Sequence, residues 1–353
     1  MANNLLFVGS VPFDTAEEVL GTLGQRFGAQ VPALPDGEVG ERRSWVNRFG
    51  YQLFNGHLNL DTTQRPRSDD GVERLLPHDR SDAWQFKVKP GVDRVRFGAP
   101  GQRLGYARDA TASYFVFKTL REKGLIPPGV RFQISIPMVN SVVRALYFPE
   151  PSDLGRVRPG FETALAAELE VIFQRIPHED LAVQWDCAWE VAAVHEGDVV
   201  AGPAEREIAT HTAPIERLSK ILPPGVALGF HFCFGTFGGW PRFAPPDLGR
   251  TVELVNAAII AAGRQVDWVH IPALDRTDDA FYAPLDALDP RGARVFMGMI
   301  HSMPSFAQRL ELVRRHLPEF GIAAYCGFGR VPTEQIPQVL DDHQRALEIA
   351  GFA

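Results

Sequence analysis

Apolar residues gather in short runs that recur along the chain: Leu5–Val11, Ala33–Gly37, Arg131–Pro137, Leu181–Trp189, Val226–Phe234, Val266–Ala273, Arg294–His301 and Ile322–Phe328. Runs of this length rich in Val, Ile, Leu and Phe predict strands buried on both faces. Between most of them lie stretches with apolar residues three and four apart, such as Pro159–Ile176, Ala204–Ile221, Leu248–Ala262, Ser305–His316 and Pro332–Ala350, the period of an amphipathic helix. Strand alternating with helix implies parallel pairing. Eight such strands fit a closed barrel better than an open doubly wound sheet, and no G-x-G-x-x-G turn supports the open form. The expected fold class is therefore α/β, one (β/α)8 TIM barrel over residues 1–353.

The rhythm breaks between about residues 41 and 102. This region is rich in arginine, aspartate and aromatic residues, among them Arg42, Arg43, Trp45, Tyr51, Phe54, Trp84 and Phe86, with little helical period. Long loops in compact domains are more often functional than accidental, so it reads as an inserted cap over the active-site face, with a plain surface excursion as the alternative. Arg42 and Arg43 either grip an anionic substrate or solvate that cap, the second being the simpler role.

Composition narrows the function classes. With 45% hydrophobic and 22% charged residues the chain of 353 residues is an ordinary globular one. A formal charge of -7 without a basic run argues against nucleic acid or anionic lipid as partner. No apolar run reaches bilayer length and the first residues lack the basic start of a secretory signal, so a cytoplasmic protein acting on a small molecule is expected. Three cysteines, Cys187, Cys233 and Cys326, are too few and too scattered for a disulfide framework.

The sharpest local feature is Val226-Ala-Leu-Gly-Phe-His-Phe-Cys-Phe-Gly235. Residues two apart on a strand share a face, so His231 and Cys233 would face the barrel axis while Phe230, Phe232 and Phe234 face the helices. Cys326 holds a similar place on the last strand. An imidazole and two thiolates fill three of the four positions of a tetrahedral zinc site and leave one for substrate, as catalytic zinc requires. The alternative is plain packing, since free cysteine is among the most buried residue types.

Further segments follow in an order that resembles the catalytic barrel of cobalamin-independent methionine synthase, over nearly the whole chain. Val8-Gly9-Ser10-Val11-Pro12 is similar to that family's Ile-Gly-Ser-Phe-Pro, and Pro35-Asp36-Gly37-Glu38 to its His-Gly-Glu segment. Gln184-Trp185-Asp186 resembles its Gln-Ile-Asp, His231-Phe232-Cys233 its His-x-Cys pair, Ile300-His301-Ser302-Met303-Pro304 its Ile-His-Ser-Pro, and Tyr325-Cys326-Gly327-Phe328 its Asp-Cys-Gly-Leu. The resemblance implies zinc held by His231, Cys233 and Cys326. It also implies substrate contacts from Gly9, Ser10, Glu38 and Asp186, and catalysis by His301 as proton donor with Asp186. One departure stands out: the family's glutamate ligand on the sixth strand is replaced by Pro272, and His270, two residues earlier, is the possible fourth ligand.

The implied function is a zinc-dependent methyl- or alkyl-transferase in which a metal-held thiolate attacks the donor, possible donors including a folate-type methyl cosubstrate. Two alternatives stay open. One is a metal-free lyase like the uroporphyrinogen decarboxylase relatives, working through Asp186 and His301. The other is a non-catalytic ligand-binding barrel. Trp185, Trp189, Phe237 and Trp240 read as packing, and His195 and Glu196 as polar loop.

Overall fold

In a computed structural model, which describes residues 3–195 and 202–352, the apolar runs become eight parallel strands. They are β1 (Leu5–Leu6), β2 (Ala33–Pro35), β3 (Arg131–Pro137), β4 (Leu181–Cys187), β5 (Ala227–Phe232), β6 (Trp268–Pro272), β7 (Arg294–Ile300) and β8 (Gly321–Ala324). They pair in the order β1-β8-β7-β6-β5-β4-β3-β2, every ladder parallel. The expected α/β barrel is the observed fold. At the β1/β2 seam the backbone is joined by Leu5 N–H to Gln30 O and Val11 N–H to Gly37 O. The Gln133 and Gln184 side chains donate to the Val8 carbonyl at 2.9 and 2.6 Å, satisfying a group that a further ladder bond would otherwise serve.

The outer layer is formed by α1 (Ala16–Phe27), α2 (Tyr106–Glu122), α3 (Pro151–Arg175), α4 (Ile208–Ser219), α5 (Gly249–Ala262), α6 (Met303–His316) and α7 (Ile336–Ala350). After β6 only short helical turns, Asp279–Tyr282 and Ala283–Ala287, take the place of a long helix. α1 starts with a capping box, Thr15 accepting from Glu18 N while the Glu18 carboxylate reaches back to Thr15 N. α3 begins earlier than its apolar period suggested and carries Pro159 inside. The predicted 204–221 helix is split: Pro203–Arg206 is a separate turn, and α4 starts at Ile208.

Five predicted strands overran by two residues or more. The runs ending at Val11, Gly37, Trp189, Phe234 and Phe328 leave the sheet at Leu6, Pro35, Cys187, Phe232 and Ala324. Most of the residues beyond stay buried, so hydrophobicity continues where strand pairing stops.

Along the barrel axis the inward-facing residues form layers. Trp268 and Phe296 fill the N-terminal end among Leu6, Ala33, Ala182, Ala227 and Ala323. Gly229 is obligatory here: a Cβ would lie 2.0 Å from Trp268 Cε2. Above sits a polar layer, Trp268 Nε1–H donating to Gln184 Oε1 at 3.2 Å. Register then sets Asp186 beside His231, and His231 beside His270, at the C-terminal end.

Between β2 and α2 the chain runs through a 3-10 segment, Gly40–Asn47, a π turn, Gly50–Phe54, and an antiparallel hairpin of Leu60–Gln64 with Gln85–Val88. Phe54 packs edge-on against Phe86, Phe97 and Phe148, tying the segment to the body. Among the described residues no helix is long and apolar enough to cross a membrane. Glu196 lies outside the described residues. His195 donates or accepts at Thr251 Oγ1 (2.8 Å), with its ring against Phe243.

Candidate active site

One cavity opens at the C-terminal mouth of the barrel, and strand ends supply most of its chemistry. It is lined by Gly9, Ser10, Glu38, Asp186, His231, Cys233 and Cys326, joined by Arg43, Trp45, Asn47, Arg144, Trp189, Phe237, Arg242 and Arg330. Seven of the residues expected from the sequence therefore meet. His301 and His270 do not line it.

His231, Cys233 and Cys326 offer three ligand atoms within 4.8 Å of one another. Cys233 Sγ is 3.4 Å from Cys326 Sγ, and Cys326 Sγ is 3.7 Å from His231 Nε2. A tetrahedral zinc with Zn–S about 2.3 Å and Zn–N about 2.0 Å requires separations of about 3.8 and about 3.6 Å. The two cysteine sulfurs, and Cys326 with His231, stand within a few tenths of an ångström of those separations, and all three donors lie within 4.8 Å of one another, so the donor set suits that ion once the atoms draw together around it. The electrostatics agree. The adjoining Cys233 sulfur, together with burial, pushes the Cys326 thiol well up, and a cation between the two sulfurs is what would reverse this. Gly235 N–H donates to Cys233 Sγ at 3.2 Å, a bond that strengthens as the sulfur gains charge. Gly235 adopts φ +79°, the left-handed region that glycine enters without strain, and its carbonyl accepts from Arg242 N–H at 3.0 Å.

His270, the possible fourth ligand, does not line the cavity, and both its ring nitrogens are engaged in hydrogen bonds. Its Nε2–H donates to the Ala324 carbonyl at 2.8 Å, leaving Nδ1 as acceptor for His231 Nδ1–H, also at 2.8 Å. This relay fixes the tautomer of His231, with the Nε2 lone pair facing the sulfurs. Burial, then His270, hold His231 well below the usual imidazole range, so the ring is neutral as a ligand must be. Gly298 makes room for His270: a Cβ there would stand 2.5 Å from its Nε2.

The opposite wall is acidic. Asp186 accepts from Gln184 Nε2 at 2.9 Å and from the Trp45 indole, yet burial and then the charge of Glu38 raise it well above the carboxylate range. Glu38 is raised to about 7 by burial, Arg42 opposing the shift. At least one proton therefore stays on this pair near neutrality. Glu38 (φ +50°) and Trp45 (φ +49°) are non-glycine residues in the left-handed region, strain concentrated at the cavity wall. Ser10 Oγ accepts from Gly329 N–H at 3.1 Å, which leaves its own hydrogen for a ligand.

His301 stands apart from this constellation. Its Nε2 donates to Ala273 O at 2.7 Å, and its ring meets Trp240 and Tyr325 edge-on, with those two stacked at 4.3 Å. Burial, followed by Arg309, lowers it to about 4. Of the arginines read together, Arg42 is spent in ion pairs with Asp36 (2.7 Å) and Asp109 (3.3 Å), whereas Arg43 lines the cavity. Trp185 packs outward, bonding Ser219 at 3.2 Å, and Trp189 and Phe237 line the cavity. Arg144, Arg242, Arg330 and Asn47 went unread. Arg144 alone carried a signal, as a cation inside the apolar run Val142-Val-Arg-Ala-Leu-Tyr-Phe148.

No family model and no curated protein sequence matches the chain. Among solved structures, it is similar to a B12-independent methionine synthase from Shewanella sp. W3-18-1, solved in complex with selenomethionine, at 13% identity over 99% of this chain and 98% of that one, TM-score 0.62. It is also similar to a protein assigned as a vitamin-B12-independent methionine synthase from Listeria monocytogenes, at 13% identity over 95% and 86%, TM-score 0.53. At such identity the likeness establishes the barrel fold.

Proposed function

We propose that this barrel is a zinc-dependent transferase that moves a methyl or alkyl group from a small-molecule donor to a thiol. The observation that carries the reading is the meeting of His231, Cys233 and Cys326 with Glu38 and Asp186 in one cavity at the mouth of the barrel. The names of the similar structures, both methionine synthases, support the same class. Zinc bound there would lower the pKa of a substrate thiol and keep it a thiolate at neutral pH.

The chain's own residues do the rest. His231, oriented by His270, and the two cysteines would hold the ion and leave one position facing the cavity. Ser10 and the backbone at Gly9 bind a polar group of the substrate. Glu38 and Asp186 hold a proton between them at the cavity wall, where it can pass to a leaving group. That assignment moves the donor role from His301, whose Nε2 hydrogen is engaged by Ala273. A folate-type methyl donor is one form of electrophile that this chemistry accepts.

A metal-free lyase centred on Asp186 is the second reading, favoured by Pro272 in place of a fourth ligand and by the raised pKa of Asp186. Elemental analysis of protein purified without chelator separates the two. The transferase reading expects about one zinc per chain, lost in Cys233→Ser. A folded protein that stays metal-free when zinc is offered would sink it in favour of the lyase.

A further inference from the structure

Arg43, Arg144 and Arg330 line the cavity opposite Glu38 and Asp186. Arg144 is the most telling of the three. It is 5% exposed and forms no ion pair among the described residues. Its Nη2 donates to the Tyr147 hydroxyl at 3.3 Å, which donates in turn to Asn47 Oδ1 at 2.8 Å. The guanidinium lies over the rings of Tyr147 (4.8 Å) and Trp189 (5.6 Å). Its Nε is buried with no hydrogen-bond partner.

A second buried arginine shows what a purely structural one does. Arg309 is fully buried, and its nitrogens are spent on Ser305 Oγ (3.0 Å) and on the carbonyls of Met299 (3.1 Å), His301 and Ser302 (3.2 Å), with Asp275 3.5 Å away. Nothing comparable satisfies Arg144. A buried cation with an idle N–H is costly, and its planar fork matches a carboxylate. Trp45, Trp189 and Phe237 add flat apolar faces to the same cavity.

We propose that the cavity takes an aromatic carboxylate, its carboxylate paired with Arg144 and its ring among Trp45, Trp189 and Phe237. Under the transferase reading, on which this last step rests, that molecule is an aryl alkyl ether: its alkyl C–O bond breaks as the C–S bond to the substrate thiolate forms, and the departing phenolate takes a proton from the Glu38–Asp186 pair. The arrangement disfavours neutral aromatics of the same shape, which would leave the guanidinium desolvated and unpaired.

The test is calorimetric titration of the full chain with benzoate and with benzamide, zinc content being determined on the same samples. Benzoate is expected to bind about tenfold or more tightly than benzamide, a charge-assisted pair being at stake. Arg144→Met should abolish the preference and Arg144→Lys restore part of it, with zinc content unchanged in both. Equal binding of the two probes by the unaltered chain, no binding of either, or a preference that survives Arg144→Met would overturn the proposal. The unaltered chain decides the matter even if a variant fails to fold. A benzoate preference in zinc-free protein would support the carboxylate site while removing the transferase reading, so the two fail separately.

Discussion

At the N-terminal end of the barrel axis Trp268 and Phe296 pack among Leu6, alanines and glycines. At the other end of the same strands the axis holds two carboxylates, an imidazole and two thiols. The first end is filled solid, as a stable core requires. The second keeps buried polar groups that cost stability and are retained where a ligand compensates them. Between the two, Gln133 and Gln184 form a hydrogen-bonded floor that shields the aromatic layer from the polar one. Stability and chemistry are thus divided along the axis, as in barrels that place reactions at their C-terminal mouth.

That division breaks most visibly at Trp268. Trp268→Ala should cost about 3–5 kcal/mol by cavity formation, read as a lower denaturant midpoint, while zinc uptake by the folded fraction persists. Loss of zinc along with stability would mean that the two ends are not separable.

A smaller effect is expected from the relay behind the metal position. His270→Leu removes the acceptor that fixes the His231 tautomer, and zinc affinity in chelator competition should fall about 10–100-fold. Unchanged affinity would reduce His270 to a packing residue.

The smallest effect concerns the acidic wall and sharpens the comparison through pH. Glu38 is raised in the folded state from 4.5 to about 7, chiefly by burial. The folded chain therefore binds a proton that the unfolded chain has lost between these values, and stability falls as pH rises through that window. Glu38→Gln should flatten the decline by about 2 kcal/mol, measured by urea unfolding at pH 5 and pH 8. An unaltered slope would place the proton elsewhere, Asp186 being the next candidate.

Sequence by itself determined the strand and helix alternation, the parallel barrel and most residues of the mouth. Both levels are carried by local pattern: a two-residue period puts His231 and Cys233 on one face whatever lies opposite. It also marked Pro272 as a departure. Only the tertiary structure set the hydrogen-bond partners of the histidines. His270 and His301 share the inward or mouthward signals of His231, yet the carbonyls of Ala324 and Ala273, which take up one nitrogen of each, come from other strands or loops. Arg144 faces the cavity beside Trp189 and Asn47, residues from segments remote in sequence. Hydrogen-bond partners and unpaired charges are properties of what folding brings together across the barrel, and no periodicity along one segment encodes them.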